Sequence, residues 1–498
     1  MALFLGLDAG TQGAKALVWD AEADRVLGRG AASYGLLPAR EPGGAEQHPW
    51  TWVEGVEAAI AQALADPAVE PRAIRGLAVS AQQHGFVPLD ESNEVIRPAR
   101  LWCDTATAAE AAELASRWGR PLPAGYTASK VLWLKRHEPE HFARLRRVLL
   151  PHDFLNLHLT GVVATEAGDA SGTGWFDPER RDWDTAAAAS IDDRLPAMLP
   201  PILRPDEPLG RIRPGLAARL GLPKDLLVAP GSGDNMMSAL GAGAVREGVL
   251  VVSLGTSGTL FARSERPVVD PEGLIAPFCD ATGAWLPLLC TMNCTTVLEE
   301  VRSAFGLDLE RLTELAAAEP AGCDGLTFLP YLAGERAPDW PHARAAILGL
   351  GPGSLRPGRV FRAALEGATL ALRFGLERLL RFGVHGDELR VVGGGSRNRL
   401  WRRILADAFG LPVQAPAEKE SAALGAAIQA AAVWSGRPVA SFARSLRGRV
   451  PAEPILPDPA AQSALRDALD RFRRLGRALF GSGGAAAVEN ANTDPISP

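Results

Sequence analysis

A short glycine-rich segment occurs twice in the chain, at almost half-chain spacing. The segments GTQG at 10–13 and GTSG at 255–258 each lie between two apolar stretches, and their first glycines are 245 positions apart in 498 residues. Each copy predicts two strands joined by a tight turn. A duplicated subfold that gives two similar domains is the economical explanation of this spacing. Because 498 residues also exceed what one hydrophobic core normally organises, we expect two domains.

The first copy lies in a predicted β-meander with strands over 3–8, 14–19 and 26–32. A meander excludes the dinucleotide-binding fingerprint, which needs a helix directly after its glycines. The phosphate loop that ends in Gly-Lys-Ser/Thr is also excluded, because the sequence contains no Gly-Lys pair. We expect the domain boundary near Val245, with an N-terminal domain over 1–245 and a C-terminal domain over 246–475.

A glycine-threonine hairpin presents backbone N–H groups and a hydroxyl in a concave turn that suits phosphate oxygens. Two such hairpins facing across a cleft could hold both ends of a polyphosphate, although two unrelated hairpin turns would look the same in the sequence. The two copies differ in charge. Asp8 stands two residues before the first glycine of the first copy, and Ser253 has that place in the second.

The segment LLVAPGSGDNMMSALGAG at 226–243 predicts a strand, a glycine turn and a helix that begins at Asp234. Glycines before Asp234 allow other groups to approach, so its carboxylate is a candidate catalytic group. The alternative is an ordinary helix-capping aspartate. A helix N-terminus stabilises an ionised carboxylate, so we expect Asp234 to be a weak base.

A second group of candidates follows the strand predicted over 74–80. Gln83 and His84 lie in a run of hydrogen-bonding residues at the end of that strand, where α/β proteins bind ligands. Trp102 and Asp104 follow as an aromatic ring beside a carboxylate. A surface histidine, a core tryptophan and a helix-capping aspartate are the alternative interpretations.

The clearest helix is predicted over 360–380, and further helices over 51–64, 126–147 and 421–434. Three glycines at 393–395 follow a predicted strand and precede a helix that begins near Asn398. Such glycines allow a flat ring to lie against the backbone, with Asn398 able to reach a base or ribose; a simple tight loop is the alternative.

Composition excludes several functions. A net charge of −6 argues against nucleic-acid binding, and no apolar run predicts a membrane span. The N-terminal residues lack the cationic start of a signal peptide, so we expect a cytoplasmic protein. Five sparse cysteines are typical of reduced thiols rather than of a disulfide framework or a zinc site. We expect residues 481–498 to form a disordered tail.

Taken together, these motifs resemble the FGGY carbohydrate kinases, and among them the xylulokinase branch. The resemblance rests on the order of the first hairpin with Asp8, QHG at 83–85, GSGDN at 231–235, the second hairpin and GGGSRN at 393–398. The segments LLPHDFL at 149–155, DASGTGWFDPERRDWD at 169–184 and FLPYLAGERAP at 328–338 add to it. It spans about residues 3–436.

The resemblance implies an α/β fold with two ribonuclease-H-like (actin-like ATPase) domains and a cleft between them. It makes Asp234 the catalytic base and places Asp8 near Mg²⁺ through water. The sugar contacts that it implies are Gln83, His84, Trp102, Asp104, Asp234 and Asn235. The ATP contacts that it implies are Thr11, Gln12, Gly255, Thr256, Gly394, Gly395 and Asn398. Many bacterial xylulokinases have Met at the place of Gln83, so we expect that contact to use the backbone.

The implied reaction transfers the γ-phosphoryl group of MgATP to the terminal hydroxyl of D-xylulose and gives D-xylulose 5-phosphate. Two alternatives stay open: an FGGY kinase for another ketopentose or polyol, such as ribulose or ribitol, and a non-catalytic actin-like binder of sugar or ATP. Neither a nucleic acid nor a membrane is an expected partner, and a homodimer is left open.

Overall fold

The structure is a computed structural model that describes residues 2–446 and 453–481. Its strands are β1 (Leu3–Ala9), β2 (Gly13–Asp20), β3 (Arg25–Ser33), β4 (Glu46–Gln47), β5 (Ile74–Ala81), β6 (Val87–Leu89), β7 (Ala99–Arg100), β8 (Arg147–Leu149), β9 (Thr165–Glu166), β10 (Phe176–Asp177), β11 (Asp182–Trp183), β12 (Ile202–Leu203), β13 (Gly210–Arg211), β14 (Leu227–Val228), β15 (Ser232–Gly233), β16 (Gly248–Leu254), β17 (Gly258–Ala262), β18 (Ile275–Cys279), β19 (Trp285–Thr291), β20 (Thr327–Leu329), β21 (Ala346–Leu348), β22 (Gly386–Val392) and β23 (Val413–Gln414).

Its α-helices are α1 (Pro49–Leu64), α2 (Ala108–Trp118), α3 (Thr127–His137), α4 (Pro139–Arg144), α5 (Pro151–Thr160), α6 (Ala167–Ala170), α7 (Thr185–Ala189), α8 (Pro214–Leu220), α9 (Asp234–Gly241), α10 (Thr295–Phe305), α11 (Leu309–Ala317), α12 (Pro357–Arg381), α13 (Arg399–Phe409), α14 (Ser421–Trp434), α15 (Val439–Ser445) and α16 (Pro459–Phe480). Within the described residues, no helix is long and apolar enough to cross a bilayer.

Two compact units divide the chain. Among the described residues, the first comprises 2–246, 263–287 and 418–446, and the second comprises 247–262, 288–417 and 453–481. A single cut near Val245 therefore does not describe the units. The reason is packing: α14, from far along the chain, lies against β1, β5 and α9 of the first unit.

The first unit is built on a mixed sheet with the strand order β13-β14-β5-β1-β2-β3. Strands β1, β2 and β3 form the predicted antiparallel meander, and β5 runs parallel to β1. Alternate residues of β1, such as Leu5 and Leu7, are buried in one core with Trp52 and Ile60 of α1. Gly6 points the other way, and a Cβ there would lie 1.8 Å from the Ala423 carbonyl oxygen of α14. Helices therefore cover both faces of the sheet.

The second unit repeats the hairpin. Strands β19, β17, β16, β22 and β23 lie in that order; β16 and β17 are antiparallel, and β22 runs parallel to β16. Helix α12 is the long buried helix predicted over 360–380, and it packs against α10, α11 and α13. Each unit thus contains a hairpin whose first strand has a parallel partner, which confirms the repeat predicted from the two glycine segments.

One predicted helix is wrong in its extent. Residues 126–147 form α3 and α4, which are separated at Glu138, and then the strand β8. Pro139 lacks a backbone N–H and opens a new helix as its first residue, which ends α3. The tail predicted over 481–498 lies, except for Gly481, outside the described residues.

Candidate active site

The end of β5 brings two carboxylates to one edge of the first sheet. Ser80 is in register with Asp8 of β1 on one side and with Ser232 of β15 on the other. The Ser80 hydroxyl donates to Asp8 Oδ1 at 2.8 Å, and Asp234 begins α9 two residues after Ser232. The hairpin and the glycine turn, 220 residues apart in sequence, therefore meet at the end of one strand.

Asp234 is partly exposed and is the first residue of α9, with Gly233 as the N-cap. The pKa of Asp234 is raised from 3.8 to about 7, mainly by burial and then by the charge of Asp8, while hydrogen bonds from Asn235 oppose the rise. The expectation of a weak base is therefore wrong. Desolvation and a like charge outweigh the stabilisation that a helix N-terminus gives to an ionised carboxylate.

Asn235 links Asp234 to the end of β5. Its Nδ2 lies 2.9 Å from Asp234 Oδ1 and 2.9 Å from Gln83 Oε1. Gln83 is 4% exposed, and its Nε2 has no hydrogen-bond partner among the described residues. The side chain of Gln83 thus orients Asn235, a role that the sequence, which suggested a backbone contact, did not indicate.

His84 has a positive φ of 63°, a conformation that a non-glycine residue adopts only where its surroundings impose it. Its ring lies 5.0 Å from the ring of Tyr126 and 5.4 Å from that of Phe278. A Cβ on Gly172 would lie 1.7 Å from His84 Nδ1, so only glycine fits there. No local pattern links Tyr126, Phe278 and Gly172 to residue 84, so these contacts do not follow from the sequence.

The first hairpin turn is fixed by side chains. Thr11 Oγ1 donates to Gln82 Oε1 at 3.0 Å and accepts from Trp102 Nε1 at 2.9 Å, and Gln47 Nε2 donates to the Thr11 carbonyl at 2.7 Å. Trp102 is only partly buried, whereas Gln12, at the tip of the turn, is exposed. Trp102 is therefore tied to the turn rather than lying wholly inside the core.

Asp104 does not face a ligand. It is 0% exposed, and Oδ2 accepts from Arg100 Nη1 at 2.8 Å and from the Ala45 amide at 2.9 Å. Its other oxygen accepts from the Ala106 amide at 3.1 Å. The prediction that Asp104 contacts the sugar is therefore wrong. The carboxylate neutralises a buried arginine and fixes the turn before α2.

The second hairpin turn is held from α10. The Gly255 carbonyl accepts from the Thr295 amide at 3.0 Å and from Thr295 Oγ1 at 2.8 Å, and the Thr256 carbonyl accepts from the Cys294 amide at 3.1 Å. The side chain of Thr256 is exposed. The Thr256 hydroxyl is thus exposed, whereas the Thr11 hydroxyl of the first turn is hydrogen-bonded to two side chains.

In the glycine loop at 393–395, Gly394 has free space where a side chain would be, and Gly395 does not. A Cβ on Gly394 would meet nothing within 4 Å, whereas one on Gly395 would lie 2.6 Å from the Trp401 ring. Asn398 is the N-cap of α13: its Oδ1 accepts from the Trp401 amide at 3.1 Å, and its Nδ2 donates to Thr313 Oγ1 at 2.9 Å. Its amide is thus used within the protein, and a simple capping role accounts for it.

Mg²⁺ fits the carboxylate edge. Burial raises the pKa of Asp8, with Lys15 and Ser80 opposing this, and Asp8 in turn raises the pKa of Asp234. A divalent cation would neutralise two such desolvated charges. The described residues contain no group of three or more metal-ligating side chains.

The cysteines in this structure are free thiols, and all but Cys103 are buried. Trp340 packs against Tyr331 at 5.5 Å and Phe480 at 5.9 Å between ring centroids. A Cβ on Gly476 would lie 2.9 Å from the Trp340 ring. Trp340 is therefore engaged in an aromatic cluster with α16.

Known proteins match this arrangement along most of the chain. Residues 3–241 match the N-terminal domain of the FGGY family of carbohydrate kinases, and residues 250–434 match its C-terminal domain. The xylulose kinase of Haemophilus influenzae is 39% identical over 449 residues, which is 87% of this chain and 90% of that protein. The xylulose kinase of Streptomyces coelicolor is 40% identical over 469 residues, 91% and 92% of the two chains.

A crystal structure of a xyloylose kinase from Brucella ovis superposes with a TM-score of 0.89 at 34% identity. It covers 96% of this chain and 100% of that one. These likenesses confirm the predicted α/β fold with two ribonuclease-H-like domains. The chain belongs to the FGGY family of carbohydrate kinases.

Proposed function

We propose that this kinase transfers the γ-phosphoryl group of MgATP to the terminal hydroxyl of D-xylulose and so forms D-xylulose 5-phosphate, in the cytoplasm. The observation that carries the proposal is a partly exposed carboxylate, Asp234, whose pKa burial raises to about 7. It lies at the end of the sheet that also holds Asp8. The substrate follows from relatives that are named xylulose kinases and are 39–40% identical over most of their length.

On the sugar side, Asp234 would accept a hydrogen bond from the attacking hydroxyl and then take its proton. A base is most useful when its pKa is near the working pH, and a value of about 7 meets that condition. We assign the remaining hydroxyls of the sugar to Asn235, His84 and the unpartnered Nε2 of Gln83. Trp102 supplies an apolar edge beside the first turn.

On the nucleotide side, we assign the phosphates to the two hairpin turns, at Thr11 and Gln12 and at Gly255 and Thr256. Phosphoryl transfer requires alignment and charge neutralisation more than covalent chemistry, and backbone amides of tight turns supply both. The open space at Gly394 supports a place for the adenine ring there, with Gly395 as the next residue of that surface. Asn398 acts through the loop that it caps.

Asp8 would hold Mg²⁺ through water. When bound, this ion neutralises the charge that spreads over the phosphate oxygens. The protein's part is to keep Asp8 in place, which Ser80 does with its hydroxyl at 2.8 Å. Lys15 is directly across the strand pair from Asp8 and limits the rise of the Asp8 pKa.

The test is a panel of sugars in an ATP-consumption assay: D-xylulose, D-ribulose, ribitol, glycerol and D-gluconate. We expect D-xylulose to give the highest kcat/KM, and mass spectrometry to place one phosphate on C5. The Asp234→Asn variant should lower kcat by about 10²–10⁴-fold with an unchanged fold. A higher kcat/KM with ribulose or ribitol would replace D-xylulose, and sugar binding by calorimetry without any turnover would favour the non-catalytic binder.

A further inference from the structure

Four buried polar side chains form hydrogen bonds with the residues that lead into Asp234. We call residues 230–232 the approach segment. His152 Nε2 and Asn156 Nδ2, both on α5, contact the Pro230 carbonyl at 2.5 Å and 2.6 Å. Gln429 of α14 accepts from the Gly231 amide at 2.8 Å and donates to the Gly231 carbonyl at 3.3 Å.

Glu166 is the fourth side chain that contacts the approach segment. Its carboxylate accepts from Ser232 Oγ at 2.7 Å, and also from the amides of Gly168 at 2.7 Å and Asp169 at 2.6 Å. The four gripping side chains are no more than 1% exposed. We call the set of His152, Asn156, Glu166 and Gln429 the polar clamp.

His152 lies between the Pro230 carbonyl and two carboxylates. Its Nε2 faces the Pro230 carbonyl, and its Nδ1 lies 3.1 Å from Asp153 Oδ1 and 3.6 Å from Asp169 Oδ2. Asn156 Nδ2 also lies 3.0 Å from His152 Nε2, and His152 Nδ1, although close to these carboxylates, makes no hydrogen bond among the described residues. Burial lowers the pKa of His152, but Asp153, Asp169 and Glu166 outweigh it and raise the value to about 9.

The approach segment has almost no room to move. Gly231 has a φ of 78°, and a Cβ there would lie 2.2 Å from the Val79 carbonyl oxygen of β5. On the other side, a Cβ on Gly168 would lie 2.5 Å from Ser232 Oγ. The backbone before Asp234 is thus enclosed on both sides as well as hydrogen-bonded.

Such a clamp is costly as a device for stability alone. Burying charged and amide side chains costs free energy that well-packed apolar side chains would not. What buried polar groups supply is a single geometry, and phosphoryl transfer is sensitive to geometry: a misplacement of about 1 Å can cost about 10²-fold in rate. The clamp therefore fits a role in the placement of Asp234.

We propose that His152, Asn156, Glu166 and Gln429 are positioning residues that fix Asp234 against the sugar hydroxyl by holding residues 230–232. This inference rests on the proposed function only in taking Asp234 as the base. It gives a role to His152 of the motif LLPHDFL, with Asp153 of that motif and Asp169 of DASGTG lying beside the imidazole ring.

The test compares Ser232→Ala with a matched control. Ser232→Ala removes the hydroxyl that Glu166 holds and leaves Glu166 its two backbone donors. The control is Thr107→Val, which removes another hydroxyl that is 0% exposed and that lies 3.0 Å from Ser129 Oγ and 3.3 Å from the Ala124 carbonyl. Both variants lose one buried hydroxyl of the first unit, but only one of them loosens the approach segment.

For Ser232→Ala we expect kcat to fall about 10–10²-fold with both KM values within about threefold of wild type, since binding contacts are intact. Hydrogen exchange of the amides at 234–237 should be about tenfold faster, as for a local opening that has lost one hydrogen bond. Thr107→Val should lower the melting temperature by a similar amount and leave kcat and that exchange unchanged.

Two results would overturn the inference. One is a Ser232→Ala enzyme with wild-type kcat and exchange despite lower thermal stability, which would make the clamp purely structural. The other is a rise in the KM for sugar that accounts for the whole loss. The kinetic assay uses whichever sugar the wild-type chain phosphorylates, and exchange needs no turnover. Failure of D-xylulose as substrate would therefore leave this comparison decisive.

Discussion

The two glycine hairpins have the same architecture and different chemistry. In each, an antiparallel strand pair is closed by a tight turn, with the first glycine amide bonded to a carbonyl within the turn, at 3.0 Å for Gly10 and 3.2 Å for Gly255. In each, the first strand also has a parallel neighbour, β5 or β22. The scaffold of the turn was evidently duplicated as a whole.

The difference lies at the end of the first strand. Asp8 carries a partly buried carboxylate with a raised pKa in the first hairpin, where the second has the neutral Ser253. The side chain of Thr11 is bonded on two sides, whereas Thr256 is exposed. A repeated turn can thus keep its architecture while only one copy carries an acidic group at the end of its first strand.

The largest expected effect on activity distinguishes the end of β1, with Asp8, from the end of β16, with Ser253. Asp8→Asn removes the charge proposed to hold Mg²⁺, so we expect kcat/KM to fall about 10²–10³-fold. Ser253→Ala at the corresponding place should change it less than about threefold. Steady-state kinetics over a range of Mg²⁺ concentrations measures both. Equal losses in the two variants would show that the hairpins share the acidic function that we assign to one.

A smaller effect should be common to both turns. A Cβ on Gly10 would lie 3.7 Å from the Gly13 carbonyl and one on Gly255 3.4 Å from the Ser257 carbonyl, so alanine fits either fold. We expect each alanine variant to keep its melting temperature and to raise the KM for ATP about tenfold, because the added methyl obstructs phosphate at the turn.

The control for that pair is Gly13→Ala. A Cβ there would lie 2.5 Å from the Ala32 carbonyl oxygen of β3, so the variant should lose stability instead. An unchanged KM for ATP in only one of the two turn variants would limit the phosphate role to the other hairpin.

The sequence predicted what local pattern determines. The meander, the hairpin of the second unit, α12 and the start of α9 at Asp234 follow from periodicity, turn residues and capping. Asp8 stands just before a glycine turn at the end of β1, and Asp234 stands just after a glycine turn at the start of α9, so the local pattern drew attention to both. Asn398 was predicted to open a helix and does so as its N-cap.

What the sequence did not predict depends on tertiary contacts. His84 meets Tyr126 and Phe278, which are 42 and 194 positions away. Asp104 has the same local setting as a ligand-binding carboxylate, and only its burial with Arg100 excludes that role. The pKa of Asp234 depends on burial and on the nearby Asp8. A local sequence pattern determines neither the burial of Asp234 nor its distance from Asp8.

The smallest effect, on stability, tests whether Asp8 and Asp234, which lie at one sheet edge of the first unit, are both desolvated. The pKa of folded Asp234, about 7, exceeds its ordinary value of 3.8. Its contribution to stability is therefore complete below pH ~3.8 and is lost as the pH rises through about 7. Asp234→Asn should then match wild type near pH 4 and unfold with a free energy about 1–3 kcal/mol higher above pH ~7.5, less any lost helix N-terminal interaction.

Asp8→Asn should show a pH-dependent gain of the same sign, because burial raises that pKa as well, whereas Ser253→Ala introduces no titrating difference and should show none. Urea unfolding of the three variants from pH 4 to pH 9 measures this. A pH-independent difference in Asp234→Asn would mean that its carboxylate is not desolvated. Desolvation of Asp234 lowers stability and also places the pKa of the base near neutral pH. An Asp234→Asn variant that is both more stable and inactive would show that the stability cost and the catalytic role have this one cause.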